Sequence, residues 1–200
     1  PWLSELGHSK YKTFGQKKAV RLIYESAPGS TNIVVLPTGS GKTTAFFGPA
    51  SLANPKLSVL VVPTVSLALD LERRLKEDLG YEESAAYHGG LNETEKKEFL
   101  GNVRSNRKWI VITNPESLFG PLEKAIRDQA DNGNLKYFGI DEAHIVAGWG
   151  HTFRPEFQFL SGFCNKLREL SKDKGEEIRL ILFTGTLDQY SFDVLEKLFS

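Results

Sequence analysis

Residues 36 to 46 read LPTGSGKTTAF and follow a short apolar run, Asn32 to Leu36. A glycine-rich turn between an apolar strand and a Gly-Lys-Thr triplet is typical of a loop that holds phosphate groups. Gly39 and Gly41 let the backbone curl, so that successive N–H groups point inward at the positive end of the helix that follows. The strict form of this motif has a glycine where this chain has Leu36, but the curled backbone is still available. The stretch therefore predicts strand, loop and helix in that order, and this order disfavours an ordinary glycine-rich turn.

The alternation of apolar run and helical pattern continues along the whole chain. Most of the runs are unbroken, as expected for strands that are covered on both faces. We therefore expect an α/β fold with a mostly parallel β-sheet flanked by helices on both faces. The candidate strands are Asn32 to Leu36, Ser58 to Val62, Ser84 to Tyr87, Trp109 to Thr113, Leu135 to Ile140 and Ile178 to Thr184.

Three helices carry clear signals in the sequence. Asn92 and Glu95 have the spacing of a capping box, so a helix should begin there. Asn114 before Pro115 is a suitable pair for the first two positions of another helix. An amphipathic helix is predicted where leucines recur at four-residue spacing, at Leu67, Leu71, Leu75 and Leu79.

Composition narrows the class of protein. The 200 residues are 40% hydrophobic and 25% charged, as in an ordinary globular domain, and we expect one domain over residues 1 to 200. The chain shows no signal peptide and no apolar run of membrane-spanning length. Cys164 is expected to be a buried thiol in a reducing compartment, so we expect an intracellular protein of cytoplasm, nucleoid or nucleus. The formal net charge of zero argues mildly against a broad basic surface for nucleic acid.

An acid pair completes the chemistry of the phosphate loop. Lys42 supplies a positive charge for β and γ phosphates, and the Thr43 hydroxyl can bind Mg²⁺. Asp141 follows an apolar strand and can hold Mg²⁺ through water, while the adjacent Glu142 can polarise an attacking water. A lone acid pair after a strand is usually solvated surface charge. Together with the phosphate loop, it indicates an enzyme that hydrolyses ATP, with Lys42, Asp141 and Glu142 as catalytic residues.

Seven short segments occur in the order found in one group of enzymes. The sequence resembles superfamily 2 helicases and, within them, the RecQ-like family, from Phe14 to about Leu187. The segments are FGQ (14 to 16), PTGSGKT (37 to 43), VVPTVSLALDLERRL (61 to 75), YHGG (87 to 90), TNPESL (113 to 118), DEAH (141 to 144) and FTGT (183 to 186).

The resemblance implies a fold, an activity and a set of site residues. It implies the first RecA-like lobe of a P-loop NTPase, in an ATP-dependent 3'–5' helicase that moves along single-stranded or forked DNA. It implies that Gln16 reads adenine and that His144 couples to Thr184 and Thr186. The nucleotide-binding set would be Gln16, Thr38, Gly39, Ser40, Gly41, Lys42, Thr43 and Thr44, and the strand contacts would include Pro63, Thr64, Ser66 and Thr113.

An aromatic-rich segment, WGHTFRPEF (149 to 157), follows the acid pair and resembles the loop by which RecQ-like helicases couple single-stranded DNA to hydrolysis. Its rings could stack on bases of any identity at about 1 to 3 kcal/mol each. The residues implied for this role are Trp149, His151, Phe153 and Arg154. For Phe157 and Phe159, whose spacing suits a helix, packing in the core is the preferred interpretation.

The chain departs from the family pattern at three places. Gly185 stands where alanine is usual, which keeps the flanking threonine hydroxyls but loosens the turn. Asn114 is inserted relative to the compact TPE segment, and Gln16 follows a shorter FGQ in place of FRPGQ.

Three further interpretations stay open. The same motor could belong to an RNA helicase or to a duplex-DNA translocase of a restriction or defence system. A third alternative is a non-catalytic module that binds partners in a nucleotide-dependent way. The chain begins at Pro1 and has no methionine, so we expect a fragment of a longer protein that lacks a second RecA-like lobe.

Overall fold

The computed structural model describes residues 11–147, 155–172, 174–175 and 177–199 of the chain. Within them, six strands form one sheet in the order β1-β6-β5-β2-β4-β3, and every pairing between neighbours is parallel. All six predicted strands are present, with no end displaced by more than two residues. They are β1 Thr31–Val35, β2 Leu57–Val61, β3 Ala86–Tyr87, β4 Ile110–Thr113, β5 Leu135–Ile140 and β6 Arg179–Thr184.

Helices connect the strands, and the predicted α/β class is confirmed. The described helices are α1 Phe14–Glu25, α2 Lys42–Leu52, α3 Val65–Leu79, α4 Glu93–Arg104, α5 Pro115–Leu118, α6 Pro121–Asp131, α7 His144–Ala147, α8 Pro155–Ser171 and α9 Gln189–Phe199.

The sheet separates two apolar cores, one on each face. The core on one face, which we call the front face, includes buried residues of α1, α2 and α3. The core on the other face, the back face, includes buried residues of α4 to α9. Strands β2, β4 and β6 are buried at every position, which explains why their sequences do not alternate.

A close contact seats α2 against the sheet behind the phosphate loop. Gly139 lies in β5 directly beneath the ring of Phe46, and a Cβ atom there would come within 2.7 Å of Phe46 Cε2 and 2.9 Å of Leu60 Cδ1. The same ring packs edge-on against Phe183 of β6, with centroids 6.2 Å apart. The start of α2 is therefore fixed against the two central strands whose ends carry the acid pair and FTGT.

Both helix starts predicted from the sequence are present. The capping box of Asn92 and Glu95 is confirmed at the start of α4. Asn114 holds the N-cap position of α5, but its side chain does not cap the helix. The Asn114 amide N–H donates to the carboxylate of Glu116. The predicted N-cap and N1 pair, Asn114 and Pro115, is confirmed at the start of α5.

Two predictions concerned side chains of the back-face core. Cys164 is fully buried, as expected. Phe159 is 63% exposed and contacts only the edge of the core through Phe119, so its assignment to the core was wrong. The helical spacing placed Phe159 on α8 but could not show that its side chain is exposed. The side chain of Phe157 lies outside the described part of α8.

Among the residues that the structure describes, no helix has the length and apolar character needed to cross a membrane.

Candidate nucleotide-binding site

The phosphate loop forms the turn between β1 and α2. Gly39 and Gly41 have φ angles of 78° and 92°, in the left-handed region that side chains resist. Gly41 is the N-cap of α2, and no side chain caps the first turn of this helix. The N–H groups of that turn lie at the positive end of the helix dipole and are available to an anion, which is the role that the sequence predicts for them.

Lys42 joins the phosphate loop to the acid pair. Its Nζ lies 2.7 Å from Glu142 Oε1 and 3.6 Å from Asp141 Oδ1. These side chains are only 12%, 28% and 15% exposed, so the ion pairs lie in a partly water-excluded cleft. Segments 100 residues apart in sequence therefore meet at one point.

Backbone hydrogen bonds fix the acid pair between two strands. The N–H of Asp141 donates to Val61 at 2.8 Å, and the N–H of Ala143 donates to Phe183 at 2.8 Å. Glu142 lies between them with a φ of 51°, an uncommon value for a residue with a side chain. This bend turns the Glu142 carboxylate back toward Lys42.

The local environment acts on Asp141. Burial raises the pKa of its carboxyl group, and the positive charge of Lys42 offsets only part of that effect. A buried carboxylate whose pKa is raised in this way, beside a lysine and a phosphate loop, is typical of a functional site. A bound cation would favour its charged form further.

His144 links the acid pair to the end of β6. Its Nδ1 lies 3.0 Å from Thr184 Oγ1 and 3.4 Å from Glu142 Oε2. The Thr184 hydroxyl donates its only proton to the carbonyl of Thr186 at 2.6 Å, so it accepts from His144. Nδ1 therefore carries a proton, and the expected pairing of His144 with the FTGT segment is present.

Gln16 lies against the phosphate loop. It is 2% exposed, and its Nε2 donates to the carbonyl of Gly41 at 3.3 Å. A side chain at Gly41 would overlap this amide, with a Cβ only 2.2 Å from Nε2. The amide oxygen accepts from the N–H of Lys12 at 2.7 Å. Gln16 thus joins the start of α1 to the loop, a contact that spacing alone did not reveal.

Gly185 lies beside the loop as well. An added Cβ would be 3.7 Å from Thr38 Oγ1 and 3.9 Å from Lys42 Nζ, which are ordinary contacts. Its φ lies outside the left-handed range. Neither backbone nor packing requires glycine here.

The residues implied for nucleic acid fall into three groups. Thr64 and Ser66 are exposed at the start of α3, Pro63 is partly exposed, and the Thr64 hydroxyl caps α3 by accepting from Leu67. Thr113 is fully buried, and its hydroxyl donates to the carbonyl of Tyr87 at 2.9 Å, so this hydroxyl proton is already bonded within the protein. Trp149, His151, Phe153 and Arg154 lie outside the described residues.

The close contact between Gly139 and Phe46 was not predicted from the sequence. A glycine inside an apolar strand indicates close approach of another segment, and this signal was available. Nothing in the sequence predicted that Lys42 and Glu142 form an ion pair, because each residue was assigned only a role toward the nucleotide.

The comparisons with known proteins agree with this geometry. The family model described as DEAD/DEAH box helicase matches residues 13–194. Human ATP-dependent DNA helicase Q4 is 31% identical over 170 residues, which cover 84% of this chain and 13% of that protein. The probable ATP-dependent DNA helicase RecS of Bacillus subtilis is 30% identical over 200 residues, or 98% of this chain and 38% of that protein.

A solved structure matches the fold. The DUF1998 helicase MrfA superimposes with a TM-score of 0.71 at 24% identity, covering 98% of this chain and 30% of that one. The chain therefore has the RecA-like helicase fold, while it spans much less than half the length of the relatives it matches.

Proposed function

Because this chain belongs to the DEAD/DEAH box helicase family, we propose that it is the ATP-binding lobe of a RecQ-like, ATP-dependent 3'–5' DNA helicase. The observation that carries the proposal is Lys42 held between Asp141 and Glu142 at the mouth of the phosphate loop. The family implies that the protein uses a nucleotide, and we propose that Lys42, Asp141 and Glu142 act on it. The longer protein that would contain this lobe is called the parent below, and we place it inside the cell with its DNA.

The proposed reaction is hydrolysis of the terminal phosphate. Phosphate oxygens compete with Glu142 for Lys42, which frees the Glu142 carboxylate. The oxygen of a water attacks the γ phosphorus, the bond from phosphorus to the ADP oxygen breaks, and the water proton passes to Glu142. His144, held by Thr184, keeps its Nδ1–H beside the Glu142 carboxylate and links its position to β6.

The residues present suit Mg²⁺. This ion prefers hard oxygen donors. Thr43, which follows Lys42 in the sequence, offers a hydroxyl, and Asp141, 3.6 Å from Lys42 Nζ, offers a carboxylate. Thr43 would bind it directly and Asp141 through water. When bound, Mg²⁺ would neutralise charge on the phosphates.

The DNA side of the proposal rests on exposed groups. Thr64 and Ser66 can contact phosphate without formal charge, in keeping with the net charge of zero. Several relatives are named as DNA helicases, which favours DNA over RNA. We propose that the aromatic-rich segment at 149–157 stacks on bases of single-stranded DNA.

The test is ATP turnover by the parent with and without single-stranded DNA. Lys42→Ala and Glu142→Gln should each lower the DNA-stimulated rate by at least 100-fold, on the order of the loss of a general base. Glu142→Gln should retain ATP binding. If it retained full turnover, a non-catalytic binding module would replace the proposal.

The type of nucleic acid along which the parent moves is tested separately. Stimulation should be largest with single-stranded DNA, and Trp149→Ala should reduce that response without changing the basal rate. Stronger stimulation by RNA would assign the parent to RNA helicases, and stronger stimulation by duplex DNA to duplex translocases.

A further inference from the structure

A groove lies on the back face of the protein, between α5, α6 and α8. It has a volume of about 580 Å³, a size that accommodates a large side chain. None of its lining residues is among those assigned above to the nucleotide or to nucleic acid. Its apolar part is formed by three phenylalanines and a glycine, Phe119, Phe159, Phe163 and Gly162.

The apolar part of the groove is continuous with the back-face core. The Phe159 ring packs edge-on against Phe119 with centroids 6.0 Å apart, and Phe119 packs in the same way against Phe163 at 6.0 Å. The Phe163 ring lies 5.6 Å from that of Phe138, which is fully buried in β5. Edge-to-face contacts favour defined ring positions. The groove is therefore formed in advance by packed side chains, which lowers the cost of ordering the site when a partner binds.

Two features of α8 are not explained by packing within the described residues. Phe159 is 63% exposed, so most of a large apolar side chain faces water. Gly162 lies in the middle of the helix, where glycine weakens helical structure, yet an added Cβ atom would meet nothing within 4 Å in the described part of the chain. Both residues line the same groove. A helix surface without a side chain, beside an exposed ring, suits the close approach of a partner.

Charged side chains also line the groove. Arg127 pairs with Glu123 at 2.6 Å, and its guanidinium lies 5.8 Å from the centre of the Phe163 ring. The Glu116 carboxylate accepts from the uncharged amide of Asn114. With two carboxylates and one guanidinium, the lining has a net charge of −1 at neutral pH. A positive group beside an apolar anchor would complement this lining, whereas a phosphate backbone would be repelled.

The exposure of the lining residues indicates what kind of occupant fits. Glu116, Phe159 and Gly162 are all exposed, so the groove is open to solvent and does not enclose a ligand. Sites for small molecules usually bury most of the ligand surface. A protein segment can instead place one large side chain in such a groove and leave its backbone outside. Tryptophan, tyrosine and arginine are the residues that most often dominate contacts of this kind.

We propose that the groove between α5, α6 and α8 binds a segment of a partner protein in which an aromatic anchor lies next to an arginine or lysine. The anchor would pack on Phe119, Phe159 and Phe163 and would cover Gly162. The positive charge would lie beside Glu116. Such a docking surface goes beyond the proposed function, since it binds neither nucleotide nor nucleic acid.

Capped pentapeptides test the chemistry of the occupant. Three peptides differ only in two central residues, which are tryptophan and arginine, tryptophan and glutamate, or serine and arginine. Each is titrated into the isotope-labelled 200-residue chain, and the amide signals of Phe159, Gly162 and Phe163 are followed by NMR. The tryptophan–arginine peptide should shift these signals saturably and bind roughly 5-fold or more tightly than the tryptophan–glutamate peptide, because its charge is attracted by the lining. The serine–arginine peptide, which lacks the anchor, should give no saturable shift.

Gly162→Leu distinguishes a docking surface from a structural role. Leucine would fill the groove without a clash, so the midpoint of thermal unfolding should rise by about 1 to 3 °C. The affinity for the tryptophan–arginine peptide should nevertheless fall roughly 10-fold or more, because the leucine occupies the place of the anchor. Gly101→Leu on α4 is the matched control, since Gly101 also has open space for a side chain. It should raise the midpoint similarly and leave peptide binding unchanged.

A substitution at Glu116 tests the charge. Glu116→Gln keeps an acceptor for the Asn114 amide and removes the net negative charge of the lining. The preference for the tryptophan–arginine peptide over the tryptophan–glutamate peptide should then fall to about 2-fold or less. An unchanged preference would contradict the role given to Glu116.

Other results would overturn the docking surface itself. These are equal binding of the two tryptophan peptides, binding that survives Gly162→Leu, or no saturable shift with any peptide at millimolar concentration. Shifts of the groove signals by an oligothymidylate in place of the peptides would assign the groove to nucleic acid. Shifts that depend on protein concentration alone would assign it to a second copy of the chain. None of these measurements uses ATP turnover, so the docking surface and the proposed function can fail separately.

Discussion

At the residue scale, two glycines near the site have opposite reasons for being glycine. Gly139 is enclosed by Phe46 and Leu60, so its missing side chain lets α2 approach β5. At Gly185 an added Cβ would make only ordinary contacts with Thr38 and Lys42, and the φ angle lies outside the left-handed range. The first is required by packing, and the second is not.

Alanine at each position separates the two cases. Gly139→Ala should lower the free energy of unfolding by about 1 to 3 kcal/mol, because the added methyl overpacks a rigid contact. Gly185→Ala should raise it by about 0.4 to 1 kcal/mol, because it restricts the unfolded chain without a clash. Urea unfolding of the three proteins measures both values. A loss of stability on Gly185→Ala comparable to that of Gly139→Ala would contradict this account of the turn.

Residue type and spacing predicted the phosphate loop and the acid pair, but not how they meet. The glycines, Lys42 and Asp141 follow from the chemistry of phosphate and metal binding. The pairing of Lys42 with Glu142 depends on the strand order, which places the end of β5 beside the loop after β1 with only β6 between them. The burial of Thr113 likewise depends on the neighbouring β3, which motif position cannot reveal.

At the element scale, Glu72 fastens α3 to β3. Its carboxylate accepts from Ser84 Oγ at 2.8 Å as well as from two backbone N–H groups. Burial alone would raise the pKa of Glu72, but these hydrogen bonds together outweigh it and hold the pKa below its ordinary value of 4.5. The two-residue strand β3 therefore depends on a helix side chain as much as on its pairing with β4.

Removal of the Glu72 carboxylate should lower the free energy of unfolding by an amount that depends on pH. Glu72→Ala should lower the free energy of unfolding by about 1.5 to 3 kcal/mol at neutral pH, the range for hydrogen bonds to a charged group. A lowered pKa means that the stabilisation is complete above pH 4.5 and is lost as the pH falls through the folded-state pKa. The difference between the two proteins should therefore shrink in acid. The exposed Glu77→Ala on the same helix is the control, and a difference for Glu72→Ala that grows in acid would refute the assignment.

The existence of the strands and helices was predictable, because the two differ in the period of their hydrophobic residues and in the length of their apolar runs. The exact ends of these elements were not predictable, because they depend on local hydrogen bonds. The strand predicted from Ser84 begins at Ala86, where Glu72 occupies the preceding N–H of Ala85. Packing has the same limit. Helical spacing predicts on which side of α8 the Phe159 side chain lies, but not whether other parts of the protein cover it.

For the whole molecule, we propose that the parent contains a second RecA-like lobe that supplies arginines to the transferring phosphate. Arginine fingers contribute about 10³ to 10⁵ in rate. We therefore expect the 200-residue chain to bind ATP weakly and to hydrolyse it at least 1000-fold more slowly than the parent with DNA. Turnover by the isolated chain at the rate of the parent, abolished by Lys42→Ala, would refute the two-lobe arrangement.

The most direct test of the central claim is a double-mutant cycle on ATP affinity, measured by titration calorimetry with Thr43→Ala, Asp141→Asn and both together. If the phosphate loop and the acid pair hold one Mg²⁺-bound nucleotide, the two substitutions should be coupled by about 0.5 to 3 kcal/mol with Mg²⁺. They should be additive when Mg²⁺ is removed by EDTA. Additive effects in the presence of Mg²⁺ would contradict a shared site.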